Sequence, residues 1–240
     1  MLKFCHRFAS RINPLKQFAI QPLTLSDQET VTDLIAENFS TAEPINSYLG
    51  HTPEMIKPMA NCFVKRSIAD GLGVLCVDQE TIEVAAVLLV VDVYKFDLPP
   101  SILEDKRFES FMQFFEECYR DEELEQICQQ PLDVIDFVCV STASKYRKLG
   151  LYEDLMAWTM KKHPLVTQAQ AATMACTHPG SLRVVKKMGW EIRKKTNIPA
   201  FVNQKGEKPF QNFVSFAEEK LGIKEFEDVH LCVFQKNASK

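Results

Sequence analysis

In the segment from residue 133 to residue 152, an apolar strand pattern is followed by a turn that contains two cationic residues and a glycine. Residues 133–141 are apolar and β-branched, and Arg147-Lys148-Leu149-Gly150 then leads into a helical pattern. A glycine at a strand-to-helix turn lets backbone amides approach an anion, and the helix N-terminus adds its dipole and free N–H groups. Arg147 can pair with a phosphate through two hydrogen bonds. The segment predicts a pyrophosphate site; the alternative is an ordinary turn with solvated cations.

Several other kinds of site are excluded. The turn matches neither GxxxxGK[ST] nor GxGxxG. The eight cysteines include no CxxC pair, and His51 and His230 lack ligand-like spacing, so we expect no metal. A net charge of -4 argues against a nucleic-acid partner. The apolar run 84–91 is too short to span a membrane.

The hydrophobic pattern divides the chain into alternating strands and helices. Strands are predicted at 18–25, 74–77, 82–91, 133–141, 171–176, 190–195 and 229–235. Helices are predicted at 27–39, 52–69, 101–128 (as one helix or two), 150–162, 181–188 and 213–221. Because the second and third strands form a hairpin, the expected fold is α/β with a mixed sheet. We expect one domain over residues 18–240.

Two motifs resemble those of the GNAT superfamily of N-acetyltransferases. The strand and the Tyr146-Arg147-Lys148-Leu149-Gly150-Leu151-Tyr152 turn are similar to its acetyl-CoA motif, a strand followed by Arg/Gln-x-x-Gly-x-Gly/Ala and a helix. Residues 175–190 resemble the next motif, which ends in a Gly-aromatic pair. The resemblance covers about residues 18–236. It implies a mostly antiparallel sheet of about seven strands, splayed at the fourth and fifth, and acetyl-CoA as co-substrate without a metal.

The resemblance also implies which residues hold acetyl-CoA: Val138, Cys139, Val140, Arg147, Lys148, Leu149, Gly150, Leu151 and Tyr152. Tyr152 departs from the pattern, because the superfamily has Gly or Ala there. Its ring would crowd either the pyrophosphate or the packing of helix on strand. A degenerate, non-catalytic protein is therefore the alternative to an enzyme.

Within the superfamily, the chain most resembles the insect-type arylalkylamine N-acetyltransferases. Phe39…Glu43-Pro44-Ile45-Asn46, the hydroxyl pair Thr177 and Ser181, and residues 181–190 carry this likeness, and residues 200–210 add to it loosely. It implies a small primary amine as substrate, with Glu43 as general base. Ser181 and Thr177 are the implied proton donor and relay, since Val185 stands where many members have a tyrosine. The alternatives are a solvated or turn-capping Glu43 and a helix-capping Ser181.

Other chemically capable side chains have plainer expected roles. The phenylalanines of 101–118 are expected in the core, and His178 as a loop bystander. The acidic run 121–125 is either a solvated face or an attraction for a cationic amine. The function predicted is acetyl-CoA-dependent transfer to a small amine by direct attack in a ternary complex. The alternatives are a structural or regulatory subunit of a mitochondrial assembly, with protein partners, and, more weakly, a histone acetyltransferase.

The first 17 residues predict a mitochondrial leader. Residues 1–26 contain Lys3, Arg7, Arg11 and Lys16 but no Asp or Glu, and apolar residues recur at near-helical spacing. The alternative is a basic segment that packs on a cytoplasmic domain. Fused to a fluorescent reporter, residues 1–17 should direct it to mitochondria, and replacing the four cations with Gln should abolish this. A cytosolic distribution of the unaltered fusion would contradict the prediction.

Overall fold

Seven strands form one sheet in the computed structural model, which describes residues 17–94 and 96–236. The strands are β1 Phe18–Pro22, β2 Val74–Asp78, β3 Glu83–Asp92, β4 Val134–Thr142, β5 Ala171–Cys176, β6 Glu191–Asn197 and β7 Asp228–Gln235. Their order is β1-β2-β3-β4-β5-β7-β6, and β4–β5 is the parallel pair among antiparallel neighbours. The predicted mixed, mostly antiparallel α/β sheet is confirmed. Of the predicted leader, residues 1–16 lie outside the described residues.

The helices cover both faces of this sheet. They are α1 Gln28–Thr41, α2 Pro44–Tyr48, α3 Pro53–Ala69, α4 Pro100–Leu103, α5 Glu109–Tyr119, α6 Glu122–Ile127, α7 Leu151–Lys162, α8 Pro179–Lys187 and α9 Phe213–Leu221. Residues 101–128 thus hold three helices and a 3-10 turn, where one or two helices were predicted. Helix α2 was not predicted, because five residues carry too little periodicity to be recognised. Among the described residues, no helix is long and apolar enough to cross a membrane.

Two apolar clusters hold the sheet from opposite sides. The larger cluster joins α1, α3, α5 and α9 to one face, with fully buried side chains such as Ile35, Val64 and Phe114. The second packs α7 and α8 on the other face through residues such as Leu155 and Val185. Strand β3 is buried on both faces from Ala85 to Val91. That double burial explains why its sequence is a continuous apolar run rather than an alternating one.

Strands β4 and β5 part after three residue pairs. Val134, Ile135 and Asp136 pair with Ala171, Ala172 and Thr173, and from Phe137 onward β4 has no partner in β5. On the other side, β4 stays paired with β3 to its end, and β5 stays paired with β7. The two strands are therefore held apart by their outer neighbours, and a fork opens between them. This is the predicted splaying at the fourth and fifth strands.

Strand β4 also bulges at the start of the fork. Leu89 pairs with Cys139 and Val91 pairs with Asp136, so the chain advances by three residues along β4 while it advances by two along β3. A bulge changes which face of the sheet the following side chains point to. Asp136, which bonds to Tyr119 of α5, and Cys139, which belongs to the larger apolar cluster, consequently point to the same face of the sheet. A strictly alternating strand would have placed them on opposite faces.

Candidate functional site

A cavity of about 1020 Å³ opens from the fork toward α1, α3 and α5. Its walls are mainly apolar and aromatic, and side chains from β4, β5 and the start of α8 complete them. Phe111 and Phe115 of the Phe-rich segment line it, whereas Phe114 lies wholly in the core. All four phenylalanines of the segment pack in the larger apolar cluster, as predicted, and two of them also form part of the cavity wall. Among the described residues, no cluster of His, Cys, Asp or Glu could hold a metal ion.

Glu43 lies buried on the wall of this cavity, where it caps helix α2. Pro44 keeps Glu43 extended, with φ −82° and ψ 121°. The carboxylate then accepts hydrogen bonds from Ile45 N at 3.2 Å, from Asn46 N at 2.7 Å and from Asn46 Nδ2 at 2.7 Å. The Thr177 side chain bonds to the same carboxylate. The expected turn-capping role is thus present, while the solvated-loop alternative is wrong.

Burial raises the pKa of Glu43 above its ordinary value. The bonds from the Asn46 amide, Thr177, the Ile45 amide and the Asn46 side chain offset part of that rise. Asn46 is itself held by His51, whose Nδ1 lies 2.8 Å from Asn46 Oδ1 and whose Nε2 lies 3.0 Å from the Arg107 carbonyl. The carboxylate therefore occupies a rigid, largely desolvated position in which its proton affinity is increased.

Thr177 and Ser181 lie on the same cavity, one on each side of a helix start. The cap of α8 is His178, whose Nδ1 accepts from Gly180 N at 2.9 Å. Burial, followed by the charges of Arg183 and Arg147, lowers the pKa of His178, which keeps the ring neutral and able to accept. Ser181 Oγ instead donates to the His178 carbonyl at 2.7 Å. The expected capping role for Ser181 is wrong, because His178 is the cap; that His178 takes no part in the chemistry stays a prediction.

The predicted pyrophosphate turn borders a separate pocket of about 420 Å³. Lys148 and Gly150 both have left-handed backbone conformations, with φ of 68° and 85°. Gly150 is the N-cap of α7 and brings no side chain to satisfy the first N–H groups of the helix. Four cations line the pocket, namely Arg147, Lys148, Arg183 and Lys187, together with Glu153, which pairs with Lys187. The turn therefore offers amide donors, a helix dipole and positive side chains to one ligand.

Arg147 connects this turn to α1. Its guanidinium donates to Asn38 Oδ1 at 2.6 Å, and Asn38 Nδ2 donates to Ser141 Oγ and, at 3.1 Å, to the Thr142 carbonyl. Arg147 lines both the cavity and the phosphate pocket. The cation thus stands where the two openings meet, held by α1 and the end of β4.

The ring of Tyr152 packs under the strands. It joins the apolar cluster of α7 and α8, and its hydroxyl bonds to Met174 Sδ on β5 at 3.5 Å. Burial raises the pKa of Tyr152 well above its ordinary value. Tyr152 also lines both openings, so its ring bounds the passage between them.

The remaining predicted cofactor contacts fall on both sides of the same fork. Val138, Cys139 and Val140 lie on the part of β4 that β5 does not pair, and all three line the cavity. Burial, together with the charges of Asp136 and Glu43, raises the pKa of the Cys139 thiol, so this cysteine is an inert wall residue. Leu149 is exposed and Leu151 is buried in the core. Neither side chain has a hydrogen-bonding group, so a polar contact of either residue with the cofactor can be made only by its backbone.

Sequence reasoning missed a second buried carboxylate, Asp136, and its partner Tyr119. Both line the cavity, and the Tyr119 hydroxyl donates to Asp136 Oδ2 at 2.9 Å. The signal was present: Asp136 is the one carboxylate inside the apolar strand Val134–Thr142. A buried charge costs free energy unless it is paired, so a carboxylate in a strand that is buried on both faces indicates a structural partner or a functional site.

Comparisons with solved structures confirm the GNAT fold. No protein-family profile and no curated sequence matches the chain. The C-terminal condensation domain of Ebony, in complex with beta-alanyl-dopamine, is similar over 92% of this chain and 99% of its own, with TM-score 0.72 and 14% identity. Arylalkylamine N-acetyltransferase 2 from Aedes aegypti is similar over 92% and 99%, with TM-score 0.71 and 16% identity. The Drosophila melanogaster polyamine N-acetyltransferase covers 91% and 100%, with TM-score 0.64 and 12% identity. At such identities the likeness extends to the fold alone.

The cap on α2 predicts a measurable loss of stability in Glu43→Gln. A glutamine has one acceptor oxygen, so its amide group must face at least one of the buried donors that the carboxylate now satisfies. We expect the free energy of unfolding to fall by about 1–2 kcal/mol, measured by urea denaturation. Glu37→Gln changes an exposed glutamate in the middle of α1 and should leave the free energy of unfolding unaltered. Equal stability of the Glu43 variant and the parent would contradict the capping role.

Proposed function

We propose that this protein is an acetyl-CoA-dependent N-acetyltransferase that acts on a small primary amine. The observation that carries the proposal is the adjacency of two unlike openings at one fork. A cationic pocket lies at a helix N-terminus, and a carboxylate-bearing aromatic cavity lies beside it, with Arg147 and Tyr152 lining both. One opening suits a phosphate ester and the other suits a cationic, apolar molecule.

The donors at the phosphate pocket match the chemistry of coenzyme A. The amides that begin α7 and the cations Arg147, Lys148, Arg183 and Lys187 suit a pyrophosphate. The unpaired edge of β4 at Val138, Cys139 and Val140 presents backbone groups that suit the amides of a pantetheine arm. When bound, acetyl-CoA supplies an acetyl group activated as a thioester. Leu149, Leu151 and Tyr152 contribute at the turn through their backbone amides.

The charges of the cavity favour a cation. Among the described residues, its lining contains six carboxylates but one guanidinium, that of Arg147. The carboxylates are Glu43, Asp97, Glu116, Asp121, Glu125 and Asp136, and the aromatic side chains include Phe39, Phe63, Phe96, Phe111 and Phe115. An ammonium is attracted by the carboxylates and by the faces of the rings. The acidic run 121–125 therefore contributes two of its members to the cavity rather than being wholly a solvated face.

The amine must lose a proton before it can attack. Its ammonium has a lysine-like pKa of about 10, so almost all of it is protonated at neutral pH. Thr177 bonds to Glu43 and also lines the cavity. Its hydroxyl can accept a proton from the amine while donating its own to the carboxylate. Glu43 is thus the proposed base, with Thr177 as the relay and Ser181 as a second hydroxyl donor beside it.

The comparisons support this class of substrate without identifying the amine. The arylalkylamine enzyme of Aedes aegypti and the polyamine enzyme of Drosophila melanogaster share the fold and act on amines. The Ebony condensation domain has the same fold in complex with beta-alanyl-dopamine, so the fold alone does not define a reaction. The proposal therefore depends on the side chains of the site.

Binding of coenzyme A can be tested by a charge placed on the turn. Gly150→Asp should reduce the affinity for acetyl-CoA at least 100-fold, measured by calorimetry, because the carboxylate would face the pyrophosphate. Gly206→Asp is the matched control, since Gly206 also has a positive φ of 80° and open space around it but lies outside both pockets. Both variants carry the same backbone strain. Equal affinity in the two would overturn the assignment of the turn.

Catalysis can be tested with Glu43→Gln and a panel of arylalkylamines and polyamines. At neutral pH, kcat/KM should fall 10²–10⁴-fold, which is the usual effect of losing a general base. The variant should recover by about tenfold per pH unit as the pH approaches the pKa of the amine, since the neutral amine needs no base. A variant as fast as the parent would remove Glu43 from catalysis. If acetyl-CoA binds but the parent acetylates no amine, that result supports the alternative of a non-catalytic protein.

A further inference from the structure

A buried chain of three hydrogen bonds leads from Glu43 to the backbone of the 3-10 turn Lys106–Phe108. Asn46 Nδ2 lies 2.7 Å from Glu43 Oε2, and Asn46 Oδ1 lies 2.8 Å from His51 Nδ1. His51 Nε2 lies 3.0 Å from the Arg107 carbonyl oxygen. Asn46 is fully buried and His51 is 3% exposed. The polar atoms of this chain are therefore satisfied by one another rather than by solvent.

The two ends of the chain decide which atoms donate. An ionised carboxylate only accepts hydrogen bonds, so the end of the Asn46 amide that faces Glu43 is its NH2 group. The Asn46 oxygen then faces His51, and His51 Nδ1 must donate to it. The Arg107 carbonyl also only accepts, so His51 Nε2 must donate as well. An imidazole that donates from both nitrogens carries two protons and one positive charge.

A neutral His51 requires a different arrangement of the same chain. The neutral ring has one N–H, and if Nε2 keeps it for the Arg107 carbonyl, Nδ1 becomes an acceptor. The Asn46 amide must then turn, so that its NH2 group faces His51 and its oxygen faces Glu43. Two acceptor oxygens meet there unless the Glu43 carboxyl carries a proton. Each arrangement holds one proton, on His51 in the first and on Glu43 in the second.

We propose that His51 is a positioning residue whose imidazolium form, acting through Asn46, keeps Glu43 ionised and oriented. This proposal rests on the N-acetyltransferase function proposed above, in which Glu43 must be ionised to accept the proton that Thr177 passes on. Glu43 and Asn46 line the cavity, whereas His51 does not. His51 therefore acts on the base from behind, without touching the reacting atoms.

The surroundings of His51 make this coupling strong. The rings of Phe108 and Phe111 pack against it, with centroids 4.5 Å and 6.0 Å from that of the imidazole. Hydrogen bonds that are shielded from water in this way are electrostatically stronger than exposed ones.

The charged groups that face His51 are Asp105 and Arg107 of the turn before α5, together with Glu43 through Asn46. Burial lowers the pKa of His51, while the bond to the Arg107 carbonyl and the charge of Asp105 offset part of that effect. Asp105 keeps its charge, because hydrogen bonds from Arg107 lower its pKa to about 2. The ionised Glu43 at the far end of the chain also favours the imidazolium, and that contribution can be measured.

NMR of the protein labelled with ¹⁵N-histidine tests the pairing without substrates, because the shifts of the two ring nitrogens report their protons separately. The signals of His51 are those that disappear in His51→Asn. We expect His51 to titrate from a doubly protonated ring to a neutral ring with its proton on Nε2. Glu43→Gln should lower the pKa of His51, since it removes the charge and its amide can satisfy Asn46 in either orientation.

Glu116→Gln is the matched control for that titration. Glu116 is a carboxylate of the same cavity, but it pairs with Arg120, so its loss should leave the titration of His51 unchanged. A His51 ring that stays neutral at every pH at which the protein is folded would overturn the proposal. The same titration in Glu43→Gln and in the parent would also overturn it.

Two substitutions separate the two hydrogen bonds of the ring. In His51→Asn the amide nitrogen takes the place of Nδ1 and can still donate to Asn46. In His51→Gln it takes the place of Nε2 and reaches the Arg107 carbonyl, so the Asn46 oxygen is left without a donor. We expect kcat to fall roughly 10- to 100-fold in His51→Gln, as for loss of a hydrogen bond to a charged group, and less in His51→Asn. The KM for acetyl-CoA should stay unchanged in both.

The pH dependence of the rate distinguishes positioning of the base from a structural role. His51→Gln should regain rate as the pH approaches the pKa of the amine, as Glu43→Gln does, because the neutral amine needs no base. Urea denaturation shows that both His51 variants are folded under the assay conditions. A purely structural His51 would lower the free energy of unfolding in the variants and leave kcat and its pH profile parental, which would overturn the proposal.

The outcomes separate this proposal from the one on which it rests. If the parent acetylates no amine, the proposed function fails, and the titration of His51 still decides whether its charge is coupled to that of Glu43. If the parent is active and folded His51→Gln keeps the parental kcat, His51 has no part in positioning the base, and the N-acetyltransferase proposal stands.

Discussion

The short pairing of β4 with β5 is the constraint on which the rest of the structure depends. Three residue pairs join the strands, and beyond them each strand is held by its outer neighbour alone. An unpaired backbone amide or carbonyl away from water costs about 1–3 kcal/mol, so such an edge persists only where a ligand or water can satisfy it. The two apolar clusters, one on each face, stabilise the sheet enough to keep this edge open. The cavity, the bulge and the passage bounded by Tyr152 all follow from that opening.

The polar side chains around the fork are organised as caps and bridges rather than as isolated catalytic groups. Glu43 stabilises the start of α2, and through Thr177 it also connects that helix to the end of β5. Asn38 ties α1 to the end of β4 and to Arg147. Each bond therefore fixes a wall of the cavity as well as a side chain. Substitutions at such positions change stability and site geometry together, so a lower rate alone does not separate a structural role from a catalytic one. A changed pH profile does, because it reports the ionisation of the catalytic group.

Much of the fold followed from the sequence because its elements carry strong periodic signals. All seven strands lie where the apolar alternation predicts them, and β5 and α9 match to the residue. The failures occur where local signals compete. Ser181 is a better N-cap by propensity than His178, but the extended backbone before Pro179 gives the cap position to the histidine. Helix α2 was missed because only the capping Glu43 and the proline at its first position mark it in the sequence. It is held by the bond between Asn46 and His51, and no periodic pattern connects those two side chains.

The site was predictable only in part, because a bulge breaks the alternation on which sequence reasoning depends. The turn at Gly150 and the Glu43–Pro44 pair could be recognised from residue types. The sequence could not predict which face of the sheet Asp136 points to, because that depends on the register shift between β3 and β4, and no residue type in β4 indicates such a shift. Its partner Tyr119 comes from the end of α5, and Thr173 from a strand that is adjacent only through the parallel pairing.

Opposite charges are concentrated on the two sides of the fork. Arg147 and Lys148 precede the N-terminus of α7, where the helix dipole adds to their positive charge, and Arg183 and Lys187 of α8 lie on the same pocket, while carboxylates gather on the side of α5 and α6. In a desolvated cleft, such a gradient orients a ligand before any specific contact forms. Arg147 stands at the boundary between these regions, and Tyr152 bounds the same passage. The cationic and the acidic regions therefore lie on opposite sides of the unpaired edge of β4, which is the arrangement that the proposed anionic cofactor and cationic amine require.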